Sequence, residues 1–385
     1  MGTTKPDAAG PPGLGHDLAE LAGLCHAAGR PDWAPGQGGC GSLKSAGGLL
    51  LMKAAGLRMD EAGSGRGWVA LDLAAVRDCR DQDGPGPTET QAAALLRKAQ
   101  RPLPGAEAQG LRPPAEAELH ALGPRVCLQL NMVEAAAALC LEDAQEELGA
   151  ALRPLRLELA WADYRPPGHG LARLLRDGLG QRQARLAGLA NQGLVAWGEQ
   201  TAQVLALMRR VQQALAAHFK AVEPPHLRAR DGERQAAMHR AANAVKAAFP
   251  GLKHTAPARD PWAQSLAAGG VWSWEPICPD DVLGCGAQVP ETRASQEPSP
   301  ERLLAAWGRR PGVAVLSVRD HGVLIAAADE RAWRGAHELL GANARARALA
   351  RTRNHVRPLD PAQVTELAGR DEAMHSKPGG RTDHA

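Results

Sequence analysis

Tyrosine and phenylalanine are nearly missing from this chain, whose 385 residues include one Tyr and two Phe beside nine Trp. Core volume must therefore come from Leu, Val, Ala and Trp, and no aromatic platform offers itself for stacking bases. A large net charge is missing too: the chain carries +3, which argues against a nucleic-acid binder or a membrane-surface protein. No apolar run approaches the roughly 20 residues of a membrane span. Cys-x-x-Cys is absent, and the seven cysteines, at 25, 40, 79, 127, 140, 278 and 285, are odd in number. With polar first residues and no apolar leader core, this composition predicts a reduced, cytoplasmic protein. The thirteen histidines show neither His-x-x-x-His nor His-Glu-x-x-His spacing, so no zinc site is legible among them. A Walker lysine loop, a Gly-x-Gly-x-x-Gly running from a strand into a helix and a Gly-x-Ser-x-Gly elbow are absent as well, leaving nucleotide binding and serine hydrolysis unsupported.

What is present suffices for one large or two ordinary domains, since 44% of the residues are hydrophobic. Residues 1–15 are rich in Gly, Pro, Thr and Ala and are expected to be disordered. Asp17 opens a helix with Leu18, Leu21, Leu24 and Cys25 on one face, and Gly29 ends it. A glycine-rich turn, Pro35 to Lys44, enters a strand, and Leu49–Lys53 is a buried strand. Trp68–Val76 reads as a strand passing into a helix, and Glu89–Gln100 as a helix. Residues 60–66 and 80–91 read as surface loops. Val133–Leu148 reads as one long helix, Leu155–Trp161 as a strand, and Trp197-Gly198 as a turn. From Thr201 a helix presents Val204, Leu205, Leu207, Met208, Val211 and Leu215, with Met208 as core. Glu223-Pro224-Pro225 marks a linker. Beyond it, Val313–Val318 and Gly322–Ile325 flank Arg319-Asp320-His321 as a hairpin. Asp329 then caps a long helix whose Arg345, Arg347, Arg351 and Arg353 read as a solvated face.

The chemistry concentrates between Arg112 and Val133. Arg112-Pro113-Pro114 is extended, a short amphipathic segment carries Glu116 and His120, and a strand from Arg125 bears two amides, Gln129 and Asn131, spaced for one face. A third amide, Gln192, lies in the apolar run Asn191 to Gly198. Taken alone, Glu116 is an ordinary helix-start carboxylate and His120 a packed structural histidine.

This layout resembles the class II aldolase/adducin family, whose members carry Pro-x-x-Glu-x-x-Leu-His, a His-x-His strand and a later Asn-His-Gly. By that resemblance Glu116 falls on the catalytic acid/base, and Gln129, Asn131 and Gln192 fall on the three metal-binding histidines. The glycine-rich turn corresponds to the family's Gly-Gly-Gly-Asn-Thr-Ser. The resemblance thus assigns Gly39, Gly41, Ser42 and Gly56 to substrate phosphate, with Cys40 and Gly41 replacing the family's Asn and Thr. Ala55 stands where the family has a phosphate-binding serine, and Pro166 replaces the arginine of Tyr-x-Arg-Pro-Gly at Tyr164 to Gly168. Past the linker, Asp260-Pro261, Cys278-Pro279-Asp280-Asp281-Val282 and Asp360-Pro361 resemble the C-terminal region of longer bacterial members, with Asp281 at a family histidine position.

The resemblance implies an α/β protein, a three-layer α/β/α domain about a mostly antiparallel central sheet over 16–220. A smaller α/β region follows over 226–371, with a disordered tail at 372–385. Family chemistry is metal-assisted cleavage of a sugar phosphate. A carboxamide binds such cations far more weakly than imidazole, so no cofactor is expected, or a divalent metal such as zinc if the protein is active. The expectation is an aldehyde-lyase relative with weak or lost activity. The alternatives are an active aldolase/epimerase with a rearranged metal site and a non-catalytic, adducin-like binding or assembly module. A sugar-phosphate-like ligand and a homo-oligomer are expected, with neither nucleic acid nor membrane as partner.

Overall fold

The computed structural model describes residues 13–63, 66–82, 86–103, 110–180, 184–296, 298–307 and 312–375, with side chains to 369. The chain divides into two compact units, Met1–Lys220 with Thr352–Asn354, and Ala221–Arg351 with His355–Ala385. The first unit runs α1 (Leu14–Ala28), β1 (Cys40–Lys44), β2 (Leu49–Lys53), β3 (Trp68–Asp72), α2 (Leu73–Arg80), α3 (Glu89–Ala99), β4 (Gln100–Arg101) and α4 (Ala117–His120). It continues with β5 (Val126–Leu130), α5 (Val133–Leu139), α6 (Ala144–Leu152), β6 (Leu159–Ala162), α7 (His169–Leu179), β7 (Leu186–Leu189), β8 (Gly193–Gly198) and α8 (Thr201–His218). Its strands form one sheet in the order β4-β3-β2-β1-β5-β8-β7-β6. All neighbours are antiparallel except β6 and β7.

Alternation along the strands assigns the layers. Gly41 pairs with Leu128, and a Cβ at Gly41 would lie 2.7 Å from Cys25 Sγ of α1. This face therefore lies flush on α1, which touches α8. One residue on, Ser42 pairs with Cys127 and looks the other way, toward His120 of α4. On that second face Cys127, Val195 and Trp197 pack with Leu119 of α4 and with Leu171, Ala172 and Leu175 of α7. Met52, Val69 and Leu71 pack there with Val76 of α2 and Leu96 of α3. The result is helices on both sides of a mostly antiparallel sheet.

The helical stripe of α1 is as its sequence predicts, with Leu14, Leu18, Leu21, Leu24 and Cys25 buried. It begins at Leu14, inside the stretch expected to be disordered; residues 1–12 lie outside the described residues, as do 64–65 and 83–85 of the two expected loops and 376–385 of the tail. Three expectations need correction. The helix foreseen over Val133–Leu148 is two, α5 and α6, because the Leu139 carbonyl accepts from Asn191 N instead of from a following helical turn. The strand foreseen from Leu155 starts at Leu159, after a 3₁₀ turn at Arg153–Leu155 and Arg156 at φ 51°. Trp197 and Gly198 are strand residues of β8, paired with Cys127 and Val126.

The second unit runs α9 (Asp231–Ala248), β9 (His254–Pro257), α10 (Pro261–Ser265), α11 (Pro279–Cys285), β10 (Glu291–Thr292), α12 (Pro300–Trp307), β11 (Val313–Val318), β12 (Gly322–Ala327), α13 (Glu330–Ala350) and α14 (Pro361–His375). Its sheet has the order β10-β11-β12-β9. Alternation again gives two faces: Leu316, Val318 and Leu324 pack on α9, whereas Val315, Val323 and Ile325 pack on α10 and α13. The foreseen hairpin turns with Asp320 at φ 63°. Of the four arginines read as a solvated face, Arg351 and Arg353 are exposed, but Arg347 is buried, donates to the Val271 and Ser273 carbonyls and pairs with Glu275. Asp329 caps α13 by accepting from Ala332 N at 2.8 Å. Asp329→Ala is expected to cost about 1 kcal/mol, read as a lower urea midpoint.

Candidate functional site

The second face of the first sheet and the ends of its central strands hold the polar groups. Gln129 is on β5, paired with Cys40 of β1 on one side and Val195 of β8 on the other. It shares the face of Ser42 and Cys127 and so looks toward α4. Asn131 follows just past the end of β5 and continues the same alternation. The third amide, Gln192, sits in the turn from β7 to β8, built by Asn191 at φ 57° and Gly193 at φ 116°. Here glycine is obligatory: a Cβ on Gly193 would be 2.2 Å from Asn131 Oδ1 and 2.4 Å from the Leu130 carbonyl. Asn131 thus lies directly over the turn that carries Gln192. Gln192 donates through Nε2 to the Arg165 carbonyl at 2.5 Å. All three amides are buried, and neither Gln129 Oε1 nor Gln192 Oε1 makes a hydrogen bond within the described residues.

His120 closes the site from α4. Its Nδ1 lies 2.8 Å from Ser42 Oγ, and both residues are fully buried. Burial, with the positive charge of Lys44 adding to it, pushes the imidazole down to about 3, against a smaller upward pull from the Gln129 carboxamide. That carboxamide faces the ring without giving Nε2 a well-formed hydrogen bond. His120 is therefore neutral at physiological pH, a hydrogen-bonding group and not a cation.

This has a measurable consequence. The unfolded chain binds a proton at His120 below about 6.5 and the native chain does not until about 3, so stability falls as pH drops through that window. The slope expected from this group is about 1.4 kcal/mol per pH unit. Asp281 of the second unit, pushed up to about 6 by burial, acts in the opposite sense over part of the range. The readout is therefore the difference in urea midpoints between wild type and His120→Asn from pH 7 to 4.5: the variant should lose less stability on acidification.

The glycine-rich turn lies beside these groups. Gly39, at φ 75°, packs so closely that a Cβ would meet Ala34 at 3.1 Å and the Gln129 carbonyl at 3.3 Å. Gly56, at φ 76°, has Gln37 Oε1 as its nearest neighbour, 3.8 Å from where a Cβ would stand. Lys53, almost wholly buried, joins the two turns by donating to the Gln37 carbonyl at 3.4 Å and the Leu57 carbonyl at 2.5 Å. Its charge and that of Glu116 both act on the buried Cys40 thiol, which burial pushes well above its ordinary range. Glu116 is half-buried at the N-terminal end of α4. Gly39, Glu116, Gln129 and His120 are thus gathered about one place, with Asn131 and Gln192 stacked at the strand ends. Gly41, in contrast, is turned onto α1, and the Ser42 hydroxyl is engaged by His120. Sequence reasoning passed over Lys53, because a lysine ending an apolar strand reads as a strand terminus; only the two carbonyls it bridges reveal its position.

Chemically the group offers carboxamide oxygens and NH2 donors, one carboxylate and one neutral imidazole. It suits hydroxyls and carbonyls. A divalent metal is poorly served by the neutral amides of Gln129, Asn131 and Gln192.

The family model of the Class II Aldolase and Adducin N-terminal domain matches residues 19–219. Among solved structures, the N-terminal class II aldolase domain of a conserved protein from Thermoplasma acidophilum is 16% identical, covers 56% of this chain and 99% of its own, and has a TM-score of 0.45. An aldolase II superfamily protein from Pseudomonas syringae is 16% identical over 54% of this chain and 75% of its own, at a TM-score of 0.37. A sugar-phosphate aldolase from Thermotoga maritima is 13% identical over 53% of this chain and 93% of its own, at 0.36. No curated protein matches the chain. Among the described residues no helix is long and apolar enough to cross a membrane.

Proposed function

The chain belongs to the class II aldolase and adducin family, and we propose that it is a member that binds hydroxylated, sugar-phosphate-like small molecules while having weak or no lyase activity. Family members generally use a divalent metal and bind sugar phosphates. The observation that carries the reading is the identity of the side chains at the three ligand positions: Gln129, Asn131 and Gln192, all buried. Without a metal to polarise a carbonyl, an enolate loses several kcal/mol of stabilisation, on the order of a thousandfold or more in rate.

In this reading the amide oxygens accept from ligand hydroxyls and Glu116 accepts from one more. Backbone N–H groups of the turns at Gly39 and at Gly56 serve the phosphate, with Lys53 holding those turns together, whereas Gly41 and Ser42 are paired within the sheet. Two buried amide oxygens, at Gln129 and Gln192, make no hydrogen bond within the described residues and support it, because a buried acceptor left open costs about 1–3 kcal/mol and a donor-bearing ligand removes that cost. Self-association, typical of family members, belongs to the same reading and is checked by sedimentation.

The test pairs two measurements on one substrate, L-fuculose 1-phosphate. Equilibrium binding should be saturable and weakened by Gln129→Leu. Aldehyde release with added zinc or manganese should stay at least about a thousandfold below an active lyase. Metal-stimulated turnover at ordinary enzyme rates would overturn the proposal.

A further inference from the structure

Three helices of the first unit each bring one donor to a point outside the amide site. Cys79 near the end of α2, Glu118 in α4 and His169 at the start of α7 are all buried, and one ligand atom of each lies within 4.8 Å of the other two. Glu118 stands in the middle, with Oε1 3.4 Å from Cys79 Sγ and Oε2 2.7 Å from His169 Nδ1. On a helix, residues two apart point about 200° from each other. Glu118 therefore faces α2 and α7 while His120 faces the sheet, and the cluster is separate from the amides.

Two further observations point to a ligand. His169 Nε2 is buried and makes no hydrogen bond within the described residues, so none of these residues holds the ring from its far side, and either nitrogen can turn to the cluster. The backbone beneath the imidazole is held: the Glu89 carboxylate accepts from His169 N at 3.0 Å and Gly170 N at 2.9 Å. We propose that Cys79, Glu118 and His169 form a metal site for zinc or a cation of like character.

One thiolate, one imidazole and one carboxylate are a borderline donor set that suits zinc and is a poor match for magnesium or calcium, which take oxygen donors. Two anionic donors and a divalent cation sum to zero charge, which a buried pocket tolerates better than a net charge. Three protein donors leave the fourth tetrahedral position open. The site does not depend on the reading of the amide positions. Sequence spacing gave no hint of it, because its members are 39 and 51 residues apart.

The experiment uses the full chain stripped with a chelator, then titrated with zinc or cobalt. Stoichiometric, tight zinc uptake is expected, with a thiolate-to-cobalt charge-transfer band for the cobalt form. Cys79→Ser and His169→Ala should each weaken zinc binding about 100-fold or more, since even a lost outer-shell partner costs 10–100-fold. Circular dichroism verifies that both variants fold, and the cobalt band of the unaltered chain needs no variant at all. His16→Ala is the control, because His16, Asp17 and Glu20 form a partly exposed group that also brings ligand atoms together, although Arg125 already pairs with both carboxylates. Absence of uptake, a cobalt spectrum without the thiolate band, or loss of zinc in His16→Ala but not in Cys79→Ser would each overturn the proposal.

Discussion

The triple variant Gln129→His, Asn131→His, Gln192→His, made in a Cys79→Ser background so that the ion proposed at Cys79, Glu118 and His169 does not interfere, should bind zinc at least about a thousandfold more tightly than that background alone. Three imidazoles in place of three carboxamides supply the donors that three-histidine catalytic sites use, and a gain of about 4 kcal/mol corresponds to the stated factor. The positions are prepared for this. Gln129 is on β5 and Asn131 is just past its end, and Asn131 already lies over Gly193, next to Gln192. Zinc affinity by competition with a chelating dye is the measurement. A variant that folds but gains nothing would mean that the three positions do not converge, and the reading of the amides as former metal ligands would fall with it.

Gly193→Ala is expected to be the most damaging single substitution in this region, at about 3–5 kcal/mol. Alanine is strained at φ 116°, and its methyl would press on Asn131 Oδ1 and the Leu130 carbonyl. The matched control is Gly149→Ala in α6, where a Cβ meets nothing within 4 Å. There the better helix former should add about 0.5–1 kcal/mol. Urea midpoints at unchanged slope distinguish the two. A Gly193→Ala protein as stable as wild type would mean that the β7–β8 turn differs from the one described.

Much of the architecture could be read from local pattern. The stripe of α1, the buried β2, the passage from β3 into α2, the long α8, the β11–β12 hairpin and the Asp329 cap each express a short-range rule, and those rules were enough. The failures share one cause. The break between α5 and α6 depends on Asn191 N reaching Leu139, Arg347 is buried because distant carbonyls at Val271 and Ser273 receive it, and Trp197 continues a strand because Cys127 pairs with it. None of these partners is near in sequence. The same division runs through the site. Gln129 and Asn131, two apart, were legible as one face, and the match to residues 19–219 bears out the family that the surrounding motifs suggested. The Ser42–His120 contact and the bridging Lys53 were not legible, since each joins separate turns or elements of the chain.

The hydrogen bond from Gln192 to the Arg165 carbonyl reaches past the amides. Between that carbonyl and His169 there are only Pro166, Pro167 and Gly168, and two consecutive prolines have fixed φ and little slack. On the two proposals together, a guest that drew the Gln192 side chain toward itself would tug on a stiff tether whose other end carries an imidazole of the second polar cluster. Any such communication runs equally in both directions, because the factor by which a cation changes sugar affinity must equal the factor by which the sugar changes cation affinity.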